Sequence, residues 1–242
     1  MTLLLLAGTS EAKQIAWGLS TIGIRAIASL AGVTRSPESL PLPTRIGGFG
    51  GQAGFESFLK TQGITAVLDA THPFAAAMTD RTARICAIQS IPYLQVLRPA
   101  WVPEPGDRWT EIAGEPDAAA HIPTGATVFL ATGRQTLERF AGLQGCRVLC
   151  RQIDPPTAPF PFEGGEYIIS RPPFSVPREV ELFQTLGIDW LVVKNAGGAE
   201  SRTKLIAARQ LGIPVLMLRR PPMPDAPRVQ TVQAALDWVA AL

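Results

Sequence analysis

Apolar segments of strand length alternate with amphipathic segments of helix length along nearly all of this 242-residue chain. In the first pair, four leucines at residues 3–6 precede residues 10–22, where Ile15, Leu19 and Ile22 form one apolar stripe. Continuous apolar runs are characteristic of strands that are buried on both faces of a parallel sheet. Helices between such strands connect them through right-handed crossovers. The pattern therefore predicts an α/β protein with parallel sheets.

The alternation is interrupted near the middle of the chain. Residues 98–107, RPAWVPEPGD, contain three prolines and have no hydrophobic period, so they indicate a linker or crossing segment. We therefore expect two Rossmann-like domains, covering residues 1–98 and 99–242. A second proline-rich stretch, at 220–228, precedes a closing helix at 232–242. The sequence leaves open which of the two domains this helix joins.

The composition argues against several classes of partner. Nucleic-acid binding requires a concentrated basic surface, whereas the formal net charge is only +2. The three cysteines and two histidines have no metal-ligand spacing, which argues against a metal site and fits a reducing cytoplasm. The first apolar run is too short for a signal peptide or a membrane span. We expect a cytoplasmic protein that binds no metal, nucleic acid or membrane.

The turn AGTSEA, residues 7–12, directly follows the first predicted strand. Backbone N–H groups at a helix N-terminus lack partners and the helix dipole is positive there, so this position favours phosphate. Gly8 would let a ligand approach the backbone, and Thr9 and Ser10 would add hydroxyl donors. The alternative is that Thr9 or Ser10 only caps the helix.

The turn after the second predicted strand indicates which dinucleotide is bound. In dinucleotide folds an acidic residue here holds the ribose 2′-hydroxyl of NAD, whereas an arginine accommodates the 2′-phosphate of NADP. Arg35 and Ser36 stand at this position, and the first acidic residue is Glu38. We therefore predict NADPH, unless Arg35 is an ordinary exposed loop residue. The glycine-rich segment that follows matches GxGxxA only formally, and we expect it to line the cofactor pocket through Gly48, Phe49 and Gly50.

Two further turns carry groups suited to substrate acids or to proton transfer. DATHPFA, residues 69–75, places Thr71 and His72 at the carboxyl end of a strand, where α/β sheets bind ligands. His72 could bind an anion or donate a proton, whereas the alternative is that Thr71 or His72 only closes the helix start. KNAGG places Lys194 and Asn195 after a buried strand, where a lysine is costly unless it is paired or faces a cleft. The alternative for Lys194 is a structural lysine whose ammonium group reaches solvent.

Taken in order along the chain, AGTSEA, DATHPFA, LRPAW and KNAGG resemble the precorrin-6A reductase family of cobalamin biosynthesis. The likeness spans nearly the whole chain, with one departure, since Ala7 stands where many relatives have a first glycine. It implies two Rossmann-like domains with an active-site cleft between them. It also implies an oxidoreductase acting on a CH–CH group, which uses NADPH to reduce a ring double bond of precorrin-6A and gives precorrin-6B.

The resemblance also implies roles for particular side chains. The cofactor phosphates would be held by Gly8, Thr9, Ser10, Arg35 and Ser36. The candidate catalytic residues are His72, as the proton donor, and Lys194. A tetrapyrrole substrate is rich in carboxylates, which arginine forks bind well. The side chains expected to contact it are Thr71, His72, Arg98, Arg171, Lys194 and Asn195. The resemblance is also compatible with contacts between this protein and neighbouring enzymes of the pathway.

Two other functions stay open at this stage. The chain lacks the Tyr-x-x-x-Lys pattern of short-chain dehydrogenases, the GxSxG elbow and the P-loop. An NADPH-dependent reductase of another conjugated substrate would have the same architecture. A non-catalytic carrier of a tetrapyrrole or a nucleotide would bind without turnover, so consumption of NADPH distinguishes it from an enzyme.

Overall fold

The computed structural model describes residues 1–32 and 39–242. The chain divides into two compact units: unit 1 comprises Met1–Pro99 with Pro221–Leu242, and unit 2 comprises Ala100–Arg220. In the described residues each unit contains one six-stranded sheet, and its strand pairs are parallel. The predicted α/β class with two parallel-sheet domains is confirmed.

Strands and helices of unit 1 lie mostly in alternation along the chain. The strands are β1 (Leu3–Leu6), β2 (Ala26–Leu30), β3 (Thr44–Ile46), β4 (Ala66–Asp69) and β5 (Tyr93–Val96). The helices are α1 (Ser10–Thr21), α2 (Gly51–Thr61) and α3 (Ala76–Ile88). In the sheet, β1 lies between β2 and β4, while β3 and β5 lie outside them. The strand order therefore reverses between β1 and β4, which is where open α/β sheets bind ligands.

The sheet of unit 2 has a similar strand order to the sheet of unit 1. Its strands are β6 (Trp109–Ile112), β7 (Thr127–Ala131), β8 (Arg147–Gln152), β9 (Gly165–Ile169), β10 (Trp190–Lys194) and β11 (Val215–Leu218). Its α-helices are α4 (Val176–Leu186) and α5 (Thr203–Leu211), and 3₁₀ helices cover Glu115–Ala120 and Arg134–Phe140. Because β7 lies between β8 and β10, the strand order of this sheet reverses between β7 and β10.

The closing segment of the chain belongs to unit 1. Strand β12 (Arg228–Val229) pairs with β5, and helix α6 (Val232–Ala240) packs against α1. A Cβ added to Gly18 of α1 would stand 2.7 Å from a methyl carbon of Leu236 in α6, so the two helices are in close contact. The closing helix, whose domain the sequence left open, therefore lies in unit 1, which includes Pro221–Leu242. The physical reason is burial of the apolar face of α6 in the core that α1 covers.

The core of unit 1 lies on both faces of its sheet. Leu3 and Leu5 of β1 pack with α1 and α6, whereas Leu4 and Leu6 pack on the opposite face with α2 and α3. All four side chains are at most 1% exposed. Burial on both faces explains why this run has no polar alternation.

The sequence pattern does not predict β3, β6, β9 and β12. These four are the edge strands of the two sheets. Most of their residues are partly or fully exposed, so they lack the continuous apolar run of the central strands.

Candidate functional site

The turn between β1 and α1 lies where the strand order of unit 1 reverses. Thr9 is the N-cap residue of α1, because its hydroxyl oxygen accepts a hydrogen bond from the Ala12 backbone N–H at 3.1 Å. The same hydroxyl donates to the carbonyl oxygen of Ala70 at 2.8 Å, in the turn after β4. Thr9 thus has the capping role of the alternative interpretation, and its one hydroxyl proton is used within the protein rather than offered to a phosphate.

Gly8 and Ser10 lie on either side of this cap. Gly8 is exposed and has a φ of 133°, which residues with a Cβ rarely adopt. A Cβ on Gly8 would meet no atom within 4 Å, so glycine is required by backbone conformation rather than by crowding. Ser10 Oγ lies 3.3 Å from a carboxylate oxygen of Glu11. The backbone at the start of α1 is therefore open to a ligand, and its N–H groups and dipole favour an anion.

Arg98, expected to contact substrate, lies against the first turn of α1. Its Nη1 donates to Glu11 Oε2 at 2.5 Å, and the two side chains are only 12% and 19% exposed. Glu11 is favoured at this position by the helix dipole, but it also brings negative charge next to the predicted phosphate site. The Arg98 guanidinium compensates that charge, which links the end of β5 to the start of α1.

The turn after β4 is organised by Asp69, which is fully buried. Its carboxylate accepts hydrogen bonds from Thr71 N at 3.0 Å, Thr71 Oγ1 at 2.7 Å and Tyr93 Oη at 3.0 Å. His72 is partly exposed, and its Nδ1 accepts from Phe74 N at 3.2 Å. We therefore assign the ring proton of neutral His72 to Nε2. Thr71 and His72 both help to close the turn, and the ring proton of the neutral imidazole lies on its second nitrogen.

The glycine-rich loop after β3 contains one buried aromatic residue. The Phe49 side chain is 8% exposed, and its ring packs edge-on against Phe55 at 4.8 Å and Phe58 at 5.2 Å between centroids. Phe49 is therefore a core residue of unit 1, and its part in lining a cofactor pocket stays a prediction. Gly48 and Gly50 are exposed on either side of it.

Arg35 and Ser36, expected at the 2′-phosphate, lie outside the described residues. A basic residue that the sequence analysis did not assign, Arg45, lies in β3 and is paired in register with Ser29 of β2. The available signal was an arginine one residue before a glycine-rich segment.

The turn after β10 is held by both boundary segments of unit 2. Asn195 is 6% exposed, its Oδ1 accepts from Trp101 N at 2.8 Å, and its Nδ2 donates to Trp101 O at 3.0 Å. Arg220 donates to the carbonyl oxygens of Asn195 at 2.7 Å and Ala196 at 3.0 Å. The structure thus uses the Asn195 amide to fix the backbone of Trp101, and this is the role that the sequence analysis missed.

Lys194 and Arg171 have different surroundings in unit 2. Lys194 ends β10, and burial lowers its pKa while Glu115 and Cys150 oppose that shift. Arg171 follows β9 and donates to Asp154 at 2.6 Å, with 52% of its side chain exposed. The Asp154 side chain is only 8% exposed, so this pair is buried on its acidic side, and contact of Arg171 with a substrate carboxylate stays a prediction.

Unit 2 also contains a buried charge cluster that the sequence analysis missed. Arg151, near the end of β8, donates from both Nη atoms to Glu179 of α4, at 2.7 and 2.6 Å. The two side chains are 9% and 1% exposed. Beside them, burial lowers the pKa of Lys204 to about 8, against the effect of Glu179. The available signal was a charged residue directly after the apolar residues VLC of this strand.

Metal and thiol chemistry find no support in the part of the chain that the structure describes. There, no group of three or more His, Cys, Asp or Glu side chains could hold a metal ion. Burial raises the pKa of the Cys86 and Cys150 thiols to about 12, which makes them unsuited to nucleophilic catalysis. Within the same residues, no helix has both the length and the apolar character needed to cross a membrane.

Comparison with known proteins places the whole chain in one family. The model of the precorrin-6x reductase CbiJ/CobK family matches residues 2–240. A precorrin-6A reductase of Rhodobacter capsulatus is 42% identical over 239 residues, which cover 98% of this chain and 95% of the relative. A precorrin-6A reductase of Rhodococcus erythropolis is 43% identical over 243 residues, covering 99% and 98%.

A solved structure, the CobK precorrin-6A reductase, matches with a TM-score of 0.95 at 41% sequence identity. The match covers 100% of this chain and 96% of that chain. The likeness therefore includes both parallel-sheet units and every motif on which the resemblance was based. The chain belongs to the precorrin-6x reductase family.

Proposed function

We propose that this chain uses NADPH to reduce a ring double bond of precorrin-6A, giving precorrin-6B in cobalamin biosynthesis. The observation that carries the proposal is the full-length similarity to two precorrin-6A reductases, at 42% and 43% identity. The names of these relatives specify precorrin-6A and not its cobalt complex. The proposed substrate is therefore the metal-free tetrapyrrole.

The geometry of unit 1 supports cofactor binding at the turn between β1 and α1. This turn lies where the strand order reverses, Gly8 leaves the backbone open, and the start of α1 favours an anion. Thr9 contributes by holding the turn in place through Ala12 and Ala70. The preference for NADPH rests on Arg35, which stands where NAD-binding folds carry an acidic residue. When bound, the cofactor supplies the hydride of the reduction.

The reduction also requires one proton, and His72 is the proposed donor. Its Nδ1 accepts a hydrogen bond from Phe74 N, so Nε2 carries the proton that can be transferred. Lys194 is the second candidate, because burial lowers its pKa and so makes its ammonium group a better acid. His72 follows β4 and Lys194 ends β10, and each of these strands borders a reversal of strand order in its own sheet.

The direct test mixes the purified protein with precorrin-6A and NADPH and follows NADPH absorbance together with the mass of the product. A product that has gained two hydrogen atoms, with one NADPH consumed for each, supports the proposal. Tight binding of precorrin-6A without consumption of NADPH would identify a carrier instead. Consumption with another conjugated substrate, but not with precorrin-6A, would identify a different reductase.

Two variants in the same assay separate the proposed roles. Arg35→Ala is expected to raise KM for NADPH much more than KM for NADH, because only NADPH carries the 2′-phosphate. His72→Gln is expected to lower kcat by about 100-fold, the size typical of losing a general acid, with little change in KM. An unchanged kcat for His72→Gln would assign the proton transfer to another group.

A further inference from the structure

Arg45 lies beside the part of unit 1 where dinucleotide folds read the ribose of their cofactor. It is paired in register with Ser29 of β2, and Ser29 is paired with Leu6, the last residue of β1. The Arg45 backbone is therefore level with the carboxyl ends of β1 and β2. In dinucleotide folds the group that distinguishes NADP from NAD follows the second strand.

The guanidinium of Arg45 is held in one orientation. Its Nη1 donates to Ser29 Oγ and to the carbonyl oxygen of Gly47, both at 2.8 Å, and its Nη2 donates to the carbonyl oxygen of Gly48 at 2.9 Å. The guanidinium carbon lies 3.9 Å from the centroid of the Phe49 ring. Phe49 stacks on one face of the guanidinium. Among the described residues, acceptors take three of its five N–H donors, so two donors remain for a further acceptor.

Gly32, in the turn that follows β2, lies close to Ile46 and to Gly47, whose carbonyl oxygen accepts from the Arg45 guanidinium. A Cβ on Gly32 would stand 3.6 Å from the Cα of Gly47 and 3.3 Å from a methyl carbon of Ile46. The backbones that leave β2 and β3 therefore approach each other closely next to Arg45. A ligand group bound at the end of β2 would lie near its remaining donors.

The charge of Arg45 lacks an acidic partner in the described part of the chain. Its hydrogen bonds go to a hydroxyl and to two backbone carbonyl oxygens, all of which are neutral. Burial lowers its pKa. Buried or partly buried cations are normally paired, so a rigid guanidinium that has no acidic partner among residues 1–32 and 39–242 favours an anionic ligand.

We infer that Arg45 binds the 2′-phosphate of NADPH and determines the preference for NADPH over NADH, in addition to the role predicted for Arg35. This inference rests on the proposed function, because it requires that unit 1 binds the cofactor. The ligand chemistry is that of a phosphate monoester on a ribose, which a guanidinium fork recognises better than an ammonium group.

The test measures Kd for NADPH and for NADH by calorimetry, with the full-length chain and three variants. Arg45→Met is expected to weaken NADPH binding roughly 10- to 100-fold, the range for losing a charge-assisted hydrogen bond, and NADH binding by less than about threefold. Arg45→Lys keeps the charge but not the fork, so a smaller loss is expected, again for NADPH only. Arg25→Met is the matched control, because Arg25 is exposed and precedes β2 at its opposite end.

Two outcomes would overturn the inference. If Arg45→Met or Arg45→Lys weakens both coenzymes equally, Arg45 only shapes the glycine-rich loop. If both variants keep the wild-type ratio of the two Kd values with wild-type affinity, another group reads the 2′-phosphate. A wild-type chain that binds neither coenzyme would instead refute the cofactor part of the proposed function, which distinguishes the two failures. Thermal unfolding of each variant shows whether it is folded. If Arg45→Met does not fold, the two Kd values of Arg45→Lys test the inference.

Discussion

Replacing Thr9 with valine removes a hydroxyl that joins two turns of unit 1 while keeping the shape of the side chain. The hydroxyl caps α1 through Ala12 N at 3.1 Å, and losing an N-cap costs about 1 kcal/mol. It also donates to Ala70 O at 2.8 Å, and losing a hydrogen bond of this kind costs about 1 kcal/mol more. We expect Thr9→Val to lower the free energy of unfolding by about 2 kcal/mol and the Tm by roughly 4–8 °C.

The measurement is thermal unfolding by circular dichroism, with Thr9→Ser as the control because serine retains the hydroxyl. Thr9→Ser is expected to unfold close to the wild-type Tm. NADPH affinity, measured by calorimetry on the same proteins, is expected to change by less than about threefold in Thr9→Val, because the hydroxyl proton is used within the protein. A Thr9→Val protein with wild-type Tm and NADPH affinity weakened about tenfold or more would show that the hydroxyl binds the ligand, and would refute this reasoning.

Two further predictions concern the buried charges of unit 2. Glu179→Gln leaves the buried Arg151 without a counter-ion, and we expect the free energy of unfolding in urea to fall by about 3–5 kcal/mol. The control is Glu166→Gln, which breaks an exposed ion pair and should leave stability nearly unchanged, so equal effects of both variants would contradict the prediction. The second prediction concerns Lys204, whose pKa is about 8 in the folded chain against 10.5 ordinarily, so the folded state binds fewer protons between these values. Stability relative to Lys204→Met should therefore rise from pH 8 to pH 10.5, by about 3 kcal/mol at most, and a flat or falling difference would contradict the assigned burial.

Prediction of the fold from sequence worked where a strand is buried on both faces. The leucines of β1 form a continuous apolar run because each of them contacts one of two helical layers. It failed at the sheet edges, where β3 consists of Thr44, Arg45 and Ile46, each at least partly exposed. Edge strands carry few buried side chains, so their pairing depends on the neighbouring strand and not on a local pattern.

Prediction of the candidate site located the turns better than it assigned side-chain roles. The turns after β1 and β4 flank the reversal of strand order, which is where open α/β sheets bind ligands. The roles of individual groups depend on partners elsewhere in the chain. Thr9 donates to a carbonyl oxygen 61 residues away, and Asn195 binds a backbone segment 94 residues away.

By itself, the sequence determined the parallel α/β class, the presence of two sheets, the positions of the turns that follow the strands and the family. It could do so because burial on both faces requires continuous apolar runs, and because turns at strand ends require glycine and capping residues. Only the tertiary structure decided that α6 belongs to unit 1, that Phe49 lies in the core, and that Arg45 stands level with the end of β2 without an acidic partner in the described residues. These features arise from contacts between segments that are distant in sequence, and local periodicity carries no information about such contacts.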